Sequence, residues 1–309
     1  MLFRQLEYFL AVAKEKHFAR AAEACFVSQP ALSVAIAKLE RELNVTLINR
    51  GHNYQGLTPE GERTVVWAER ILAELEVFKD ELAAVRSGIT GTLRLGSEPT
   101  ASTTLVLPVA AFCAAHPQAK VRAYSRLSTS ELCRRLRAFE LDAAIAHFAP
   151  ADLDGLRVTP LYTERYLLLA SDELLPGTEP VRWADVARLP LALLGSTMRI
   201  RQVIDRAFAD SGVHVSPHLE ADSVAALSSL VAAGAFATIV PHTWLRALPA
   251  GAGTHAVPLI EPTAGAEVSV AINAADPGSL TGRAFVDAAR GLSLEEFFLK
   301  SLSPEHREH

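Results

Sequence analysis

Ser28, Gln29 and Pro30, followed by Ser33, Val34 and Lys38, bring small, amide and hydroxyl side chains together at the start of one helical repeat. Side chains of this kind can read the edges of base pairs. A carboxamide such as Gln29 can donate to and accept from one adenine edge, and Val34 can touch a thymine methyl but offers guanine no hydrogen bond. A solvated surface helix more often carries Glu and Lys on such a face. Ser28 is suited to be the N-cap, and Pro30 fits the first turn, where its missing N–H costs little. Leu32, Ala35, Ile36 and Leu39 recur on the opposite side as the face to be buried. Just upstream, Phe18, Ala21, Ala22 and Cys25 form a small-residue stripe that lets another helix approach closely, and Phe26 and Val27 bridge the two. The pattern is that of a helix-turn-helix with a groove-reading second helix. By itself it also fits a plain helical hairpin.

The segment downstream favours the first reading. Residues 43–48 are largely apolar, residues 49–56 are polar and turn-rich, and Leu57-Thr58-Pro59 closes the excursion, which predicts a two-stranded wing. Arg50 and His52 stand at its tip, placed to meet phosphates or the minor groove. From the opening LEYFLAVA, through FARAAEACFVSQPALSVAIAKLERELNVTLINR, to LTPEGE, the chain resembles the LysR-type transcriptional regulators. The resemblance implies that Ser28, Gln29, Pro30 and Ser33 face the major groove of double-stranded DNA and that Lys38 and Arg50 contact phosphates. It also implies a two-fold operator and a homo-oligomer, a dimer or a dimer of dimers. Two departures stand out: Val34 replaces the Arg or Gln of many members, and Gly51-His52-Asn53 is a less basic wing tip.

Thr58 can cap a long helix, with Pro59 in its first turn and Glu60 and Glu62 near its positive end. Trp67, Ile71, Leu75, Phe78, Leu82 and Val85 recur along it at spacings of four and three, up to Ser87-Gly88. The stripe is too long for a sixty-residue module to use up, so a dimerisation helix is expected. A core helix of the same chain is the alternative.

Beyond a hinge at 88–91, strands and helices alternate, which predicts a mainly parallel sheet with helical crossovers. The expected elements are a strand at 92–96, a helix at 100–115, a strand at 120–125, a helix at 130–139 and a strand at 142–146. A second unit follows from about 166, and 267–272 returns the chain to the first. GTLRLGS, ELCRRLRAFELDAAIA and this order resemble, more loosely, the two-lobed, periplasmic-binding-protein-like effector domain of the same family.

In such a domain the ligand lies between the lobes, at strand ends and helix N-termini whose free N–H groups favour anions. The residues at those places are Ser97, Pro99, Thr100, Ser128, Thr129 and His147 from one lobe, and Ser196, Thr197, Met198, Arg199 and Ser223 from the other. Any single hydroxyl among them has a simpler explanation as a helix cap, and the argument rests on their convergence. Arg199 and Arg201 could neutralise a carboxylate. Glu98 runs against a purely anionic ligand, since it can hold a cationic group or face solvent.

The expected fold is thus α/β with three parts: a winged helix-turn-helix DNA-binding domain at 1–60, a linker helix at 61–88 and a two-lobed effector domain at 89–309. Lobe I takes about 91–162 and 268–300, and lobe II about 163–267. The chain has 309 residues, of which 50% are hydrophobic, and this supports sizeable cores. Its net charge of −5 argues against a generic nucleic-acid coat but not against a sequence-specific binder with local positive charge, so charge alone does not decide. There is no apolar signal core and no membrane-spanning run, so a cytoplasmic protein without a membrane partner is expected. Cys25, Cys113 and Cys133 lack paired spacing and read as buried or free thiols of a reducing compartment, with a redox sensor as the alternative. No catalytic triad, phosphate loop or metal-ligand cluster is recognisable, so neither an enzyme nor a cofactor is expected. A solute-binding transport protein and an enzyme on the same two-lobed fold are the alternatives.

Overall fold

The computed structural model describes residues 1–50, 54–246, 253–275 and 278–300. The chain opens with three helices: α1 (Phe3–Glu15), α2 (Phe18–Ala24) and α3 (Gln29–Leu43). Leu6, Phe9, Val12, Ala21, Ala22, Leu32, Ile36 and Leu39 close into one core among them. Ser28 Oγ accepts the Ala31 N–H at 3.4 Å and so starts α3, and Asn44, at φ 53°, ends it in the left-handed conformation. Two short strands, β1 (Ile48–Arg50) and β2 (Tyr54–Leu57), pair antiparallel as the wing.

Thr58 joins the wing to helix α4 (Pro59–Ser87). Its hydroxyl donates to the Thr46 carbonyl at 2.6 Å and accepts from the Gly61 N–H at 2.9 Å. A Cβ on Gly61 would sit 2.0 Å from the Leu47 carbonyl oxygen, so only glycine permits this close seat of the helix on the wing. The 29 residues of α4 extend roughly 43 Å at the usual helical rise.

Lobe I is built on β3 (Thr92–Ser97), α5 (Val106–Ala115), β4 (Lys120–Tyr124), α6 (Thr129–Arg137) and β5 (Ala143–Ala146), with β3 parallel to both β4 and β5. The chain leaves it on β6 (Leu156–Ser171), a strand of 16 residues. Lobe II follows as β7 (Val181–Arg182), α7 (Trp183–Val186), β8 (Ala192–Leu194), α8 (Arg199–Asp210), β9 (Leu219–Ala221), α9 (Val224–Ala232), β10 (Thr238–Pro241) and β11 (Thr254–Ile260). Then β12 (Gly265–Asn273) returns antiparallel to β6, from Gly265 opposite Arg165 to Asn273 opposite Leu156, and continues the lobe I sheet beside β5. Helices α10 (Leu280–Arg290) and α11 (Leu294–Lys300) finish lobe I. An ion pair of 2.7 Å between Arg283 on α10 and Glu81 on α4 ties the effector domain to the long helix.

The sheet differs from the mainly parallel one that the alternation predicts. The main sheet runs β4-β3-β5-β12-β6-β11-β7, and β12, β10 and β11 are all antiparallel to β6. The physical reason is that the two crossing strands carry the chain out of lobe I and back, so they must run in opposite directions. Strand β11 and helix α11 have no counterpart in the sequence reading. The single helix expected at 100–115 is also broken. Ser102 Oγ donates to the Pro99 carbonyl at 2.6 Å and Thr104 Oγ1 to that of Ala101 at 3.0 Å, and these bonds tighten Thr100–Thr103 into a 3-10 turn ahead of α5.

Candidate nucleic-acid interface and inter-lobe cleft

Gln29, Pro30, Val34 and Lys38 are exposed on α3, and Ser33 is half-buried. With Val34 66% exposed, a β-branched apolar side chain stands free on the reading face. Phe26, in the turn before α3, is 95% exposed and held at φ 55°, so its ring projects from the same end of the helix. The sequence pattern treats it only as a bridge, but its exposure leaves a second apolar side chain free on the surface near the start of α3. Ala35, expected on the buried face, is half-buried, and its carbonyl accepts from the Gln5 side chain at 3.4 Å. Arg50 ends β1; its side chain and His52 lie outside the described residues. On α4, Trp67, Phe78 and Leu82 are each 56% exposed, which is unusual for large apolar groups on one stripe. Ile71 instead packs against the core of the head. The Val85 side chain lies outside the described residues.

The second site is a cleft of about 410 Å³. Pro99, Thr100, Ser128, Thr129 and His147 line it from lobe I, and Thr197, Met198 and Arg199 from lobe II. Three further residues of the expected set do not line it. Ser97 is fully buried, with its hydroxyl unpartnered among the described residues, and Ser196 is exposed on the loop before α8. Ser223 occupies the N-cap of α9 but makes no side-chain capping bond. Arg201 lies away from the cleft, paired with Asp205 and Glu220 at 2.8 Å each, so its charge is used inside lobe II.

The cleft floor is charged and buried. Glu98 accepts the His147 Nδ1–H at 2.9 Å and the His147 backbone N–H at 3.2 Å, and it also accepts from the Thr129 hydroxyl. On the other side of the ring, His147 Nε2–H donates to Glu164 at 3.0 Å. Burial works against charge on His147, but the bonds to Glu164 and Glu98 prevail and raise its pKa to about 10. Burial likewise opposes the Glu98 carboxylate, yet the His147 and Thr129 hydrogen bonds bring it below its ordinary value. Neither Glu164 nor Tyr166 is marked by the sequence, because Thr163, Glu164 and Arg165 are all polar and the residue types do not say which of them faces inward. Their signal is the strand alternation that buries Tyr162, Glu164 and Tyr166 and exposes Thr163 and Arg165.

Two sequence families cover nearly the whole chain. Residues 3–62 match the bacterial regulatory helix-turn-helix protein, lysR family, and residues 86–293 match the LysR substrate binding domain. The chain belongs to the LysR family. It is a DNA-binding transcriptional regulator with an effector-binding domain. This LysR-family chain is 33% identical over 254 residues to the hydrogen peroxide-inducible genes activator of Haemophilus influenzae, spanning 78% of the chain and 80% of that relative. It is 31% identical over 248 residues to a probable RuBisCO transcriptional regulator of Trieres chinensis, spanning 77% of the chain and 79% of the relative. Among solved structures, a full-length OxyR variant from Pseudomonas aeruginosa superposes with a TM-score of 0.73 at 25% identity, over 96% of this chain and 97% of that one. CbnR complexed with its target DNA shares the fold, with a TM-score of 0.65 at 24% identity over 94% and 99% of the two chains. The relatives of this LysR-type regulator are themselves transcriptional regulators. No described helix is long and apolar enough to cross a membrane.

Proposed function

We propose that this regulator reads a two-fold operator as a homo-oligomer and that a small molecule bound in the inter-lobe cleft biases how its DNA-binding heads are held. The observation that carries this reading is the convergence of Thr100 and Thr129 from lobe I with Thr197, Met198 and Arg199 from lobe II on one cleft. A ligand touching both lobes binds one lobe arrangement better than another, and a differential affinity of this kind is what a conformational signal requires. Arg199 and the N-terminus of α6 supply the anion-attracting side of that cleft.

At the DNA, Gln29, Ser33 and Val34 address base edges, with Ser28 and Pro30 shaping the entry of α3 and Lys38, Arg50 and His52 near the backbone. The exposed Trp67, Phe78 and Leu82 stripe on α4 pairs two heads. A bound ligand, rather than a thiol pair, is the signal in this reading. Cys25, Cys113 and Cys133 are free, none lines the cleft, and burial pushes the Cys25 and Cys133 thiols above their ordinary pKa.

The test is to titrate small carboxylates against the wild type, Thr100→Val and Thr129→Val, following calorimetry and a DNase footprint together. Weaker binding in both variants with a ligand-dependent footprint in the wild type is expected. Unchanged affinity in both variants places the effector elsewhere, and binding without a footprint change removes the regulatory role.

A further inference from the structure

Helix α2 ends in a Schellman turn. The Phe26 N–H donates to the Glu23 carbonyl at 3.1 Å and the Val27 N–H to that of Ala22 at 3.0 Å, which leaves Phe26 in the left-handed conformation at φ 55°. Glycine or asparagine suits that position, whereas a bulky side chain is strained there. Helix α3 ends in the same turn on a suitable residue: Asn44, at φ 53°, donates to Arg41 at 3.2 Å, and Val45 donates to Glu40 at 3.0 Å.

A second phenylalanine takes this turn after α6. Phe139, at φ 57°, donates to Leu136 at 3.1 Å, and Glu140 donates to Arg135 at 2.9 Å. There the ring is only 8% exposed, and burying it offsets the backbone strain. Phe26 has no such compensation, because its ring is 95% exposed. The apolar contact that anchors this turn to the core of the head is made by the next residue, the half-buried Val27. The fold thus carries an aromatic side chain that strains its backbone and buries almost nothing. Its place in the head supplies a use. Phe26 precedes Gln29 by three residues, a span of at most about 10 Å, so its ring reaches the neighbourhood of the base-reading end of α3. Val34, the other large apolar side chain free on that helix before its last turns, belongs to the reading face itself. Base edges in the major groove offer one apolar group, the thymine methyl, and phenylalanine is among the side chains that meet it.

We propose that Phe26 is a specificity-determining residue of the DNA interface and that its ring meets a thymine methyl in the major groove, beside the base pair addressed by Gln29. The inference rests on the N-terminal end of α3 being the reading end, and it adds a contact from the turn ahead of the helix. The strain and exposure carried by the free head are then compensated in the complex, where the ring leaves water.

The experiment uses the full chain and a duplex that the wild type enriches from a random-sequence pool, remade with deoxyuridine in place of each thymine in turn. Affinities are read by fluorescence anisotropy at one salt concentration. At one or more thymines, loss of the methyl is expected to weaken the wild type at least about threefold, to leave Phe26→Gly and Phe26→Asn unaffected, and to keep its full effect in Val34→Ala. Both Phe26 variants suit the left-handed turn, so their melting temperatures should equal or exceed that of the wild type while their affinity for the thymine duplex falls at least about threefold. A ring with a merely structural role gives the opposite sign in the melt. The proposal is overturned if every methyl penalty is the same in the wild type and both variants, or if both variants melt lower. Weaker binding with unchanged methyl penalties and a smaller sedimenting species also overturns it, and places the ring between copies of the chain. Gln29→Ala, titrated against the same duplex with its base pairs exchanged in turn, separates the two readings. If it alters the base ranking while the Phe26 variants keep every methyl penalty, Phe26 alone is rejected, and if none of the variants alters either, the reading face falls as well.

Discussion

The indole N–H of Trp244 donates to the backbone carbonyl of Thr100 at 3.0 Å, so a side chain of lobe II holds the first turn of lobe I beside the cleft. Trp244 is buried in the lobe II core, and Thr100 lines the cleft. Trp244→Phe keeps the aromatic bulk and leaves the Thr100 carbonyl without its donor, at a cost of about 1–3 kcal/mol. The expected outcome is a lower melting temperature together with a changed footprint response to ligand. An unchanged response in a destabilised variant would show that the bond holds the fold without coupling the lobes.

At the DNA, Gln29→Ala and Ser33→Ala should relax base preference, each losing contacts worth about 1–3 kcal/mol. Arg50→Ala should instead weaken binding to all sequences and flatten its salt dependence, because a phosphate contact carries no sequence information. Competition binding against a set of operator variants, repeated at several salt concentrations, separates the two behaviours. If Gln29→Ala leaves the ranking of operators intact, the reading face has been misassigned.

The exposed stripe on α4 predicts a link between assembly and affinity. Phe78 and Leu82 are both 56% exposed, so a charge at either disturbs little packing within the chain. Phe78→Glu should therefore leave a folded protein that sediments as a smaller species and binds a two-site operator more weakly, as the second head loses its effective concentration. Full operator affinity in the smaller species would separate the helix from DNA binding.

Stability should fall on both sides of neutral pH for different histidines. His147, with its pKa raised to about 10 in the fold against about 6.5 when unfolded, contributes fully below pH about 6.5, and the contribution is lost as pH rises towards 10. His242 works in the opposite sense. Burial holds its pKa down to about 4, so its contribution is present above about 6.5 and disappears as pH falls towards 4. Each effect is on the order of a few kcal/mol. Glu164→Gln removes one of the two carboxylates facing His147 and should move the alkaline loss to lower pH in denaturant melts. An unshifted alkaline limb would mean that His147 does not control it.

The head was legible because each of its local rules agrees with the others. Ser28 caps, Pro30 starts the helix, and Leu32, Ile36 and Leu39 keep helical spacing into a core they fill completely. The cleft was legible only from its loops. Thr100, Thr129, Thr197 and Arg199 precede or begin helical turns and announce themselves by position, whereas Glu164 and Tyr166 lie mid-strand, where residue type does not separate the buried Glu164 from the exposed Thr163 and Arg165 beside it. Nor could alternation alone give the direction of β6 and β12, because the pattern of a buried strand is the same whichever way its neighbour runs. Phe26 escaped for a related reason, since an apolar residue between two helices reads as core until its backbone turns it outward.

The pairing of β6 with β12 spans more than a hundred residues of chain and completes a sheet begun at β3. As the protein emerges from the ribosome, the DNA-binding head has all of its core residues by the middle of α4, where Ala68, Ile71 and Leu72 complete it, whereas lobe I must wait for β12 and α10 before Val270 and Phe285 can close its interior. A nascent chain arrested before Gly265 thus carries a finished head on an open, sticky half-sheet. Such a fragment is expected to keep the core of its DNA-binding head while lacking the strand that completes lobe I, and so to bind operator without a response to ligand.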